Sequence, residues 1–512
     1  MITRLQVSGF KNLVDVDVRF GPFTCIAGPN AVGKSNLFDA IRFLGMLSCR
    51  TLQEAALSVR NASGRHEDVR GLFHHESGRI SDRLSFMVEM ITPTEAVDDL
   101  GQHAEATANF LRYTLVLRYR EQPGRLSGTC GGLEIEKEEL VHIQTRQVAR
   151  SLAFDHNVAK WRATALRIRH RAAPFISTSE ENGCRVIRLH QDGGSSGRIV
   201  LNPVAQPRTV LSVANAAESP TVLCAKREME SWTLMHLEPA ALREPDDMRA
   251  PFHLGSNGAH LPSTLYHLAS SRAQGECVPE HSGENGVYLK VANRLRTLIE
   301  DVGSVAVDRD DKRELLTIQL RGRDGTLCPA HSLSDGTLRF LALAVLEMDA
   351  GNRGVICLEE PENSIHPSRI PALLALLQDI ATNPEEAIGD GNPLSQVIIN
   401  THSPSVVLEV PDHTLLVAES RGDIAGERAV RRTVFSGLEA TWRTGAGSGG
   451  EPVAKGKGSL LAYLNPVSPQ DEYLQAYYAR IGREYAGTAV RHRPGHVAEP
   501  KEQQPFLPHV EE

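Results

Sequence analysis

Apolar positions change their rhythm along this chain, and the changes mark out its elements. In residues 1–27, LQVSG and VDVDVRF alternate apolar and polar positions as strands do, and FTCIA is a short, nearly continuous apolar run. That run ends at Gly28 and reads as a buried strand feeding a loop. Residues 35–47, SNLFDAIRFLGML, then place Leu37, Ile41 and Leu44 at helical spacing. Strand, Gly-rich loop and helix therefore follow in order. The stretch 83–143 is strand-rich: RLSFMVEMI, YTLVLRYR and GLEIEKEELVHI show partial period-two alternation, and EQPGRLSGTCGG between the last two has the Gly, Pro and Ser of a hairpin loop. Helical spacing predicts helices over 219–232 and 284–302. A strand pair follows, SVAVDR and ELLTIQLRG, then a strongly apolar helix over 337–349. GVICLEE reads as a buried strand, IPALLALLQDI as a helix, and QVIINTHS as a second buried strand.

Composition narrows the class. Of 512 residues, 41% are hydrophobic and 23% charged, enough apolar sequence to fill a sizeable core and to exclude wholesale disorder. The net charge of −8 argues against a uniformly basic nucleic-acid coat and leaves room for a local basic patch. Such a patch stands at 144–171, where Arg146, Arg150, Lys160, Arg162, Arg167, Arg169 and Arg171 face the single acid Asp155, with Phe154 and Trp161 interleaved. No apolar run is long enough for a transmembrane helix, and the N-terminal residues lack a secretory pattern. The eight cysteines are scattered with no CxxC pair, which points away from zinc and disulfides and towards a reducing, cytoplasmic setting. Near residue 443 the texture becomes a Gly/Ser/Lys linker. Beyond it a helix is expected over 470–485, with a Pro- and charge-rich end at 491–512. Neither an internal repeat nor a long heptad run is present.

Four segments carry chemistry. Gly28-Pro29-Asn30-Ala31-Val32-Gly33-Lys34-Ser35 matches GxxxxGK[ST] with a strand before it and a helix after it. Small residues let the loop's N–H groups turn inwards on phosphates, and the helix presents its positive end. Lys34 should reach the β- and γ-phosphates of ATP and the Ser35 hydroxyl should ligate Mg²⁺; Asn36 is taken with the loop as a nucleotide contact. Glu359 and Glu360 end an apolar strand as paired acids, the first for Mg²⁺ and the second to polarise an attacking water. Leu333-Ser334-Asp335-Gly336-Thr337 opens a helix, and its hydroxyl and N–H groups form an anion site or an ordinary N-cap. Asn400-Thr401-His402-Ser403-Pro404 follows a buried strand, where His402 could sense the γ-phosphate or merely satisfy a carbonyl.

In this order these segments resemble ABC-type ATPase heads of the SMC/RecF/OLD-like division, and among them the AAA-family ATPases of the AAA_21 or AAA_15 kind. The likeness rests on LQVSGFKNL, GPNAVGKSNLFDAI, LSDGTLRFLALAVL, CLEEPENSIHP and VIINTHSPSVV, with a weaker match in LEPAALREPDD and GSNGAHLPSTLYHL. It implies an α/β P-loop head with an antiparallel β-subdomain, a mixed insertion and a short C-terminal extension. On that reading 1–143 form the first part of the head with the β-subdomain and 144–294 an insertion or linking region. Residues 295–435 complete the head, and 436–512 are linker and tail. The resemblance further implies that Ser334 and Gly336 act on the nucleotide of a second head, and that Pro361, Glu362 and Asn363 form the D-loop. It makes His402 the switch histidine and puts Lys11 and Asn12 near the nucleotide. Three departures stand out: Glu359 replaces the commoner Asp, the signature is SDGT, and no glutamine between 46 and 95, Gln53 included, fits a Q-loop.

The expected reaction is ATP plus water giving ADP and phosphate, in a head-to-head homodimer. Three hundred residues between Lys34 and Ser334 argue against a transporter domain. No Toprim nuclease site follows Leu415–Glu419, so Glu419 reads as an ordinary strand end. Two functions remain open. One is an ATPase gating a separately encoded effector in anti-phage defence or regulation, its support being family habit and a tail holding five of the nine tyrosines. The other is a RecF/SMC-like ATPase acting on nucleic acid through 144–171. Neither involves a membrane.

Overall fold

The computed structural model describes residues 1–59, 69–76, 79–120, 132–167, 173–182, 184–192, 197–201, 207–273, 282–349, 351, 354–425, 428–443 and 456–464. The expected tail helix, the tail tyrosines other than Tyr463 and the hairpin turn 121–131 fall outside these residues.

Two sheets organise the chain. The core sheet has the order Thr233–Met235, Gly354–Glu359, Ser395–Thr401, Phe23–Ala27, Leu415–Ala425, Arg428–Gly437. The first five strands are parallel and the last is antiparallel. Phe23–Ala27 and Ser395–Thr401 are buried at every position, which is why they read as continuous apolar runs rather than alternating ones. The second sheet is antiparallel and eight-stranded, in the order Gly197–Leu201, Cys184–His190, Ile176–Glu181, Gly132–His142, Phe110–Arg120, Arg83–Ile91, Ile2–Ser8, Val16–Arg19. Its middle strands alternate buried and partly exposed residues, as their sequence does. This α/β head with an antiparallel subdomain is the architecture the motifs imply.

Segment 144–294 contributes to both sheets. Residues 176–201 extend the antiparallel one, and Thr233–Met235 forms the edge of the core. Helix Lys34–Leu47 lies between the sheets, its Phe43 packed with Phe10 and Phe86 at centroid separations of 5.9 and 5.7 Å. Helices Leu261–Ala273, Ser282–Arg296 and Asp335–Met348 pack with a small sheet built on Val302–Asp310 and Leu315–Gly322 into a second apolar core. The helix expected over 284–302 is shorter at its C-terminal end. It stops at Arg296, and Val302 already pairs with Gly322 as the first residue of the next strand.

The basic run departs from its expected role in one respect. Trp161 is fully buried and Phe154 nearly so, packed edge to face at 5.4 Å among Met1, Ile91 and Phe110. These rings are core and cannot stack on bases. Arg167 pairs with Glu105, Arg146, Arg150 and Lys160 are exposed, and Arg169 and Arg171 lie outside the described residues. Among the described residues no helix is long and apolar enough to cross a membrane.

Candidate nucleotide site

Register in the core sheet explains why the motif residues meet. Met235 pairs with Leu358, Glu359 with Asn400, and Thr401 with Ala27. The strands therefore end together, and the next residues, His236, Glu360, His402 and Gly28, crowd one edge. The carboxyl ends of parallel strands are where α/β sheets hold ligands. Here they open into a cavity of about 370 Å³ lined by Asn30, Ala31, Gly33, Lys34, Ser35, Asn36, His236, Glu359, Glu360, Asn363 and Asn400.

The loop Gly28–Gly33 is locked from behind. Gly33 has φ 109°, and a Cβ there would sit 2.4 Å from Asn12 Nδ2 and 2.5 Å from Thr433 Oγ1. Asn12 donates to the Val32 carbonyl at 3.3 Å and accepts from Asn36 Nδ2 at 2.7 Å. Asn12, expected to contact nucleotide, is thus a brace on the outer side of the loop and does not line the cavity. Lys11 likewise pairs with Asp39 of the following helix at 2.7 Å. Lys34 Nζ donates to the carbonyls of Gly28 and Pro29 at 2.6 and 2.7 Å. Burial pushes its ammonium down, against the pull of Glu360 and Glu362. A phosphate would return the interaction that burial removes.

Opposite the loop, Glu360 holds φ 45°, an uncommon conformation for a residue with a side chain. Its N–H donates to the Asn400 side-chain oxygen at 3.0 Å. One carboxylate oxygen accepts from His402 Nδ1 at 2.7 Å, the other from Asn363 Nδ2 at 3.0 Å. Three side chains from two segments therefore fix one acid, in a turn the sequence does not announce. Ser35 and Glu359 line the same cavity and offer a hydroxyl and a carboxylate, the hard oxygen donors Mg²⁺ takes together with phosphate and water. Among the described residues no group of three or more His, Cys, Asp or Glu is placed to hold a metal ion by itself.

The signature segment lies outside the cavity. Ser334 caps helix Asp335–Met348, accepting from Thr337 N at 3.2 Å. Gly336 is pressed against the acid loop: a Cβ there would sit 2.3 Å from the Ser364 carbonyl. Arg243 ties the segment to helix Pro239–Arg243, donating to the Leu333 carbonyl at 2.9 Å and to Asp335. The two polar residues of the expected D-loop part company. Asn363 lines the cavity, whereas Glu362 is buried inside its own head.

His236 and Asn400 are site residues that motif spacing does not assign. Asn400 belongs to a recognisable segment. His236 follows a three-residue strand too short to show a period, and the neighbouring LEPAALREPDD is its only signal. Gln53 sits on helix Leu52–Ser58, exposed and away from the cavity.

The chain is similar to several known proteins. The AAA_21 family model, described as "AAA domain, putative AbiEii toxin, Type IV TA system", matches residues 23–120 and 276–409. The DNA replication and repair protein RecF of Porphyromonas gingivalis is 38% identical over 84 residues, 15% of this chain and 21% of that one. An OLD nuclease of Thermus scotoductus is 49% identical over 41 residues, 8% of each. The chain thus spans about a fifth or less of the length of these curated relatives. Among solved structures, an SMC head bound to the C-winged helix domain of ScpA aligns with TM-score 0.41 at 12% identity, over 86% of this chain and 98% of that one. The SMC head domain from Thermotoga maritima aligns with TM-score 0.35 at 10% identity, over 86% and 99%. The phosphate loop and the paired acids sit in the two matched blocks and meet at one strand edge, and over these blocks the chain is similar to ABC/SMC-like P-loop ATPases of the AAA_21 kind.

Proposed function

We propose that the chain binds ATP with Mg²⁺ in this cavity and hydrolyses it to ADP and phosphate, in a site completed by a second copy, and that the closed dimer gates a partner effector. The observation that carries the reading is the convergence of Lys34, Ser35, Glu359 and Glu360 on one cavity of about 370 Å³. In that reading Gly28–Ser35, with Asn36, cradle the phosphates, and Lys34 leaves its carbonyls for the β- and γ-oxygens. Ser35 and Glu359 would hold Mg²⁺, which supplies charge neutralisation at the phosphates. Glu360 orients water towards the γ-phosphorus and takes its proton as ADP leaves. His402 steadies Glu360 from the side. The effector half rests on the family description, which names a toxin, and on the tail beyond residue 464.

The position of Ser334 and Gly336 outside their own cavity supports their use on a partner's nucleotide. Ser334→Arg should leave ATP binding to the single chain intact and abolish both ATP-dependent dimerisation and turnover. Sedimentation with a non-hydrolysable analogue and phosphate release are the measurements. Unchanged dimerisation and turnover in the variant would sink the composite site. Co-purification of a protein that needs residues 460–490 would support the gating reading. A second reading, direct action on DNA, is favoured by the exposed Arg146, Arg150 and Lys160.

A further inference from the structure

Glu362 stands apart from the acids discussed so far. It is only 7% exposed, its Oε1 accepts from the Thr401 hydroxyl, and its Oε2 is buried with no hydrogen-bond partner. An unpaired buried carboxylate oxygen is costly, and it persists only where something else fixes the group. The surroundings suggest what. Thr401 also accepts the Ser403 N–H at 2.9 Å, and this bond sets the turn that carries His402. His402 Nδ1 then donates to Glu360 at 2.7 Å, and Glu360 is two residues from Glu362 along the same loop. The contacts close a ring: Glu362 to Thr401, Thr401 to the His402 turn, His402 to Glu360, and Glu360 back along the chain to Glu362.

We infer that Glu362 is a positioning residue that fixes His402 and Glu360 relative to each other through Thr401. The inference rests on the ATPase reading of the site for its catalytic meaning, but the ring itself does not. Burial, the largest influence on this carboxyl, raises its proton affinity and Glu360 acts in the same direction, while the Thr401 hydroxyl and His402 lower it. The acid then shapes the machinery without touching substrate. Its burial removes it from any surface offered to a second head, so its function lies within its own chain.

The test uses three substitutions of the full chain. Glu362→Gln keeps the shape of the side chain and an acceptor for Thr401. It should retain turnover within about threefold. Glu362→Ala should lower kcat by at least about tenfold with the KM for ATP changed by less than about threefold, kcat being referred to the ATP-binding sites titrated in the same sample so that a loss of folded protein does not count. Thr401→Val should match Glu362→Ala, and Thr401→Ser, as the conservative control, should restore wild-type behaviour. The second readout needs no hydrolysis. Ring ¹⁵N shifts of labelled histidine, with His402 assigned by its loss in His402→Gln, report the share of the Nδ1–H form. Glu362→Ala and Thr401→Val should reduce that share, and Glu362→Gln should not. If the wild type proves inactive but the ring shifts move as stated, the ATPase reading fails and the ring stands. If Glu362→Gln loses as much as Glu362→Ala in either readout, an acceptor for Thr401 is not what positions His402 and the inference is overturned. Unchanged His402 shifts in Glu362→Ala overturn the positioning role.

Discussion

Glu138 in the antiparallel sheet and Glu362 at the end of the core sheet are both buried carboxyl groups, and burial raises the proton affinity of each. Their surroundings differ. Glu138 is saturated: it accepts from Tyr113 at 3.1 Å, from Leu211 N at 2.9 Å and from Val210 N at 2.8 Å. It pins segment 207–216 onto the sheet. Glu362 has one partner and one orphaned oxygen. The satisfied Glu138 serves the fold, and the partly satisfied Glu362 lies beside the site. The positive φ of Glu360 and the inward turn of Lys34 onto backbone carbonyls belong to the same edge. At the carboxyl ends of the parallel strands the strained Glu360 and the under-satisfied Glu362 sit two residues apart, while Glu138 spends its bonds on cohesion of the antiparallel sheet.

Substitutions at the site edge should therefore change chemistry and leave stability, and those in the sheet should do the reverse. The largest expected effect is at the acid pair. Glu360→Gln keeps size and hydrogen bonding but removes the base. Hydrolysis should fall by roughly 10²–10⁴-fold, the scale of a lost general base. ATP should still bind, and the protein should accumulate as an ATP-bound dimer because opening waits on hydrolysis. Glu359→Gln should instead weaken the Mg²⁺ dependence of binding as well as turnover. Phosphate release together with size analysis in ATP and Mg²⁺ separates the two. Turnover near the wild-type rate and a monomeric Glu360→Gln would remove Glu360 from the chemistry and leave a nucleotide-binding scaffold.

The sheet side of the contrast is sharpened by Glu138→Gln, read as stability against pH. Burial pushes the Glu138 carboxyl up to about 7, with the Val210 and Leu211 N–H groups pulling the other way. Its folded value lies above its unfolded one. The folded state therefore holds the proton more tightly, and stability from this group is full below the unfolded value near 4.5 and is lost as pH rises to about 7. Over that window the wild type should lose on the order of 3 kcal/mol relative to Glu138→Gln, since each pH unit between the two values is worth about 1.4 kcal/mol. Gln itself costs a constant amount, because its amide faces an N–H it cannot satisfy. Denaturant melts at a series of pH values measure the slope. Parallel curves for the two proteins would mean that Glu138 is ionised throughout and that its three donors outweigh its burial. ATP affinity at neutral pH should not change.

How much of this was legible follows from range. The phosphate loop is local: eight consecutive residues between a strand and a helix state their own geometry, and the fold reproduces it. The acid pair and His402 are local too, and the parallel register brings them to the loop. What the sequence could not show is whatever depends on alignment across the sheet. His236 reaches the cavity only because Thr233–Met235 pairs with Gly354–Glu359, a contact across more than a hundred residues. Asn12 turns from expected ligand contact to brace because Gly33 leaves room for its side chain behind the loop. Glu362 sits in the expected D-loop, yet the turn after Glu360 drives it inwards. In the basic run, charge density conceals that Phe154 and Trp161 are the anchors of a small core.

That run gives the smallest expected effect, and it tests the contrast where neither side claims the residues. Arg146, Arg150 and Lys160 are exposed, on a segment held down by buried aromatic rings rather than by its charges. Reversing all three to Glu should shift stability by no more than about 0.5 kcal/mol per site, the usual range for solvated positions. ATP turnover should be unchanged, since none of the three lines the cavity. The informative quantity is the salt dependence of DNA binding. With the aromatic pair buried, only phosphate contacts remain available to this surface, and each would contribute roughly one unit to the slope of log affinity against log salt. The gating reading expects no such slope in the wild type and none to lose in the variant. A wild-type slope of about three that vanishes on reversal would assign the run to nucleic acid and promote the second reading. By contrast, Trp161→Ala should cost about 3–5 kcal/mol through the cavity it leaves, whichever reading holds. A large stability loss from one buried ring beside negligible loss from three reversed charges would show that this segment is held by its core, so that its charges are free to serve a partner or nothing at all.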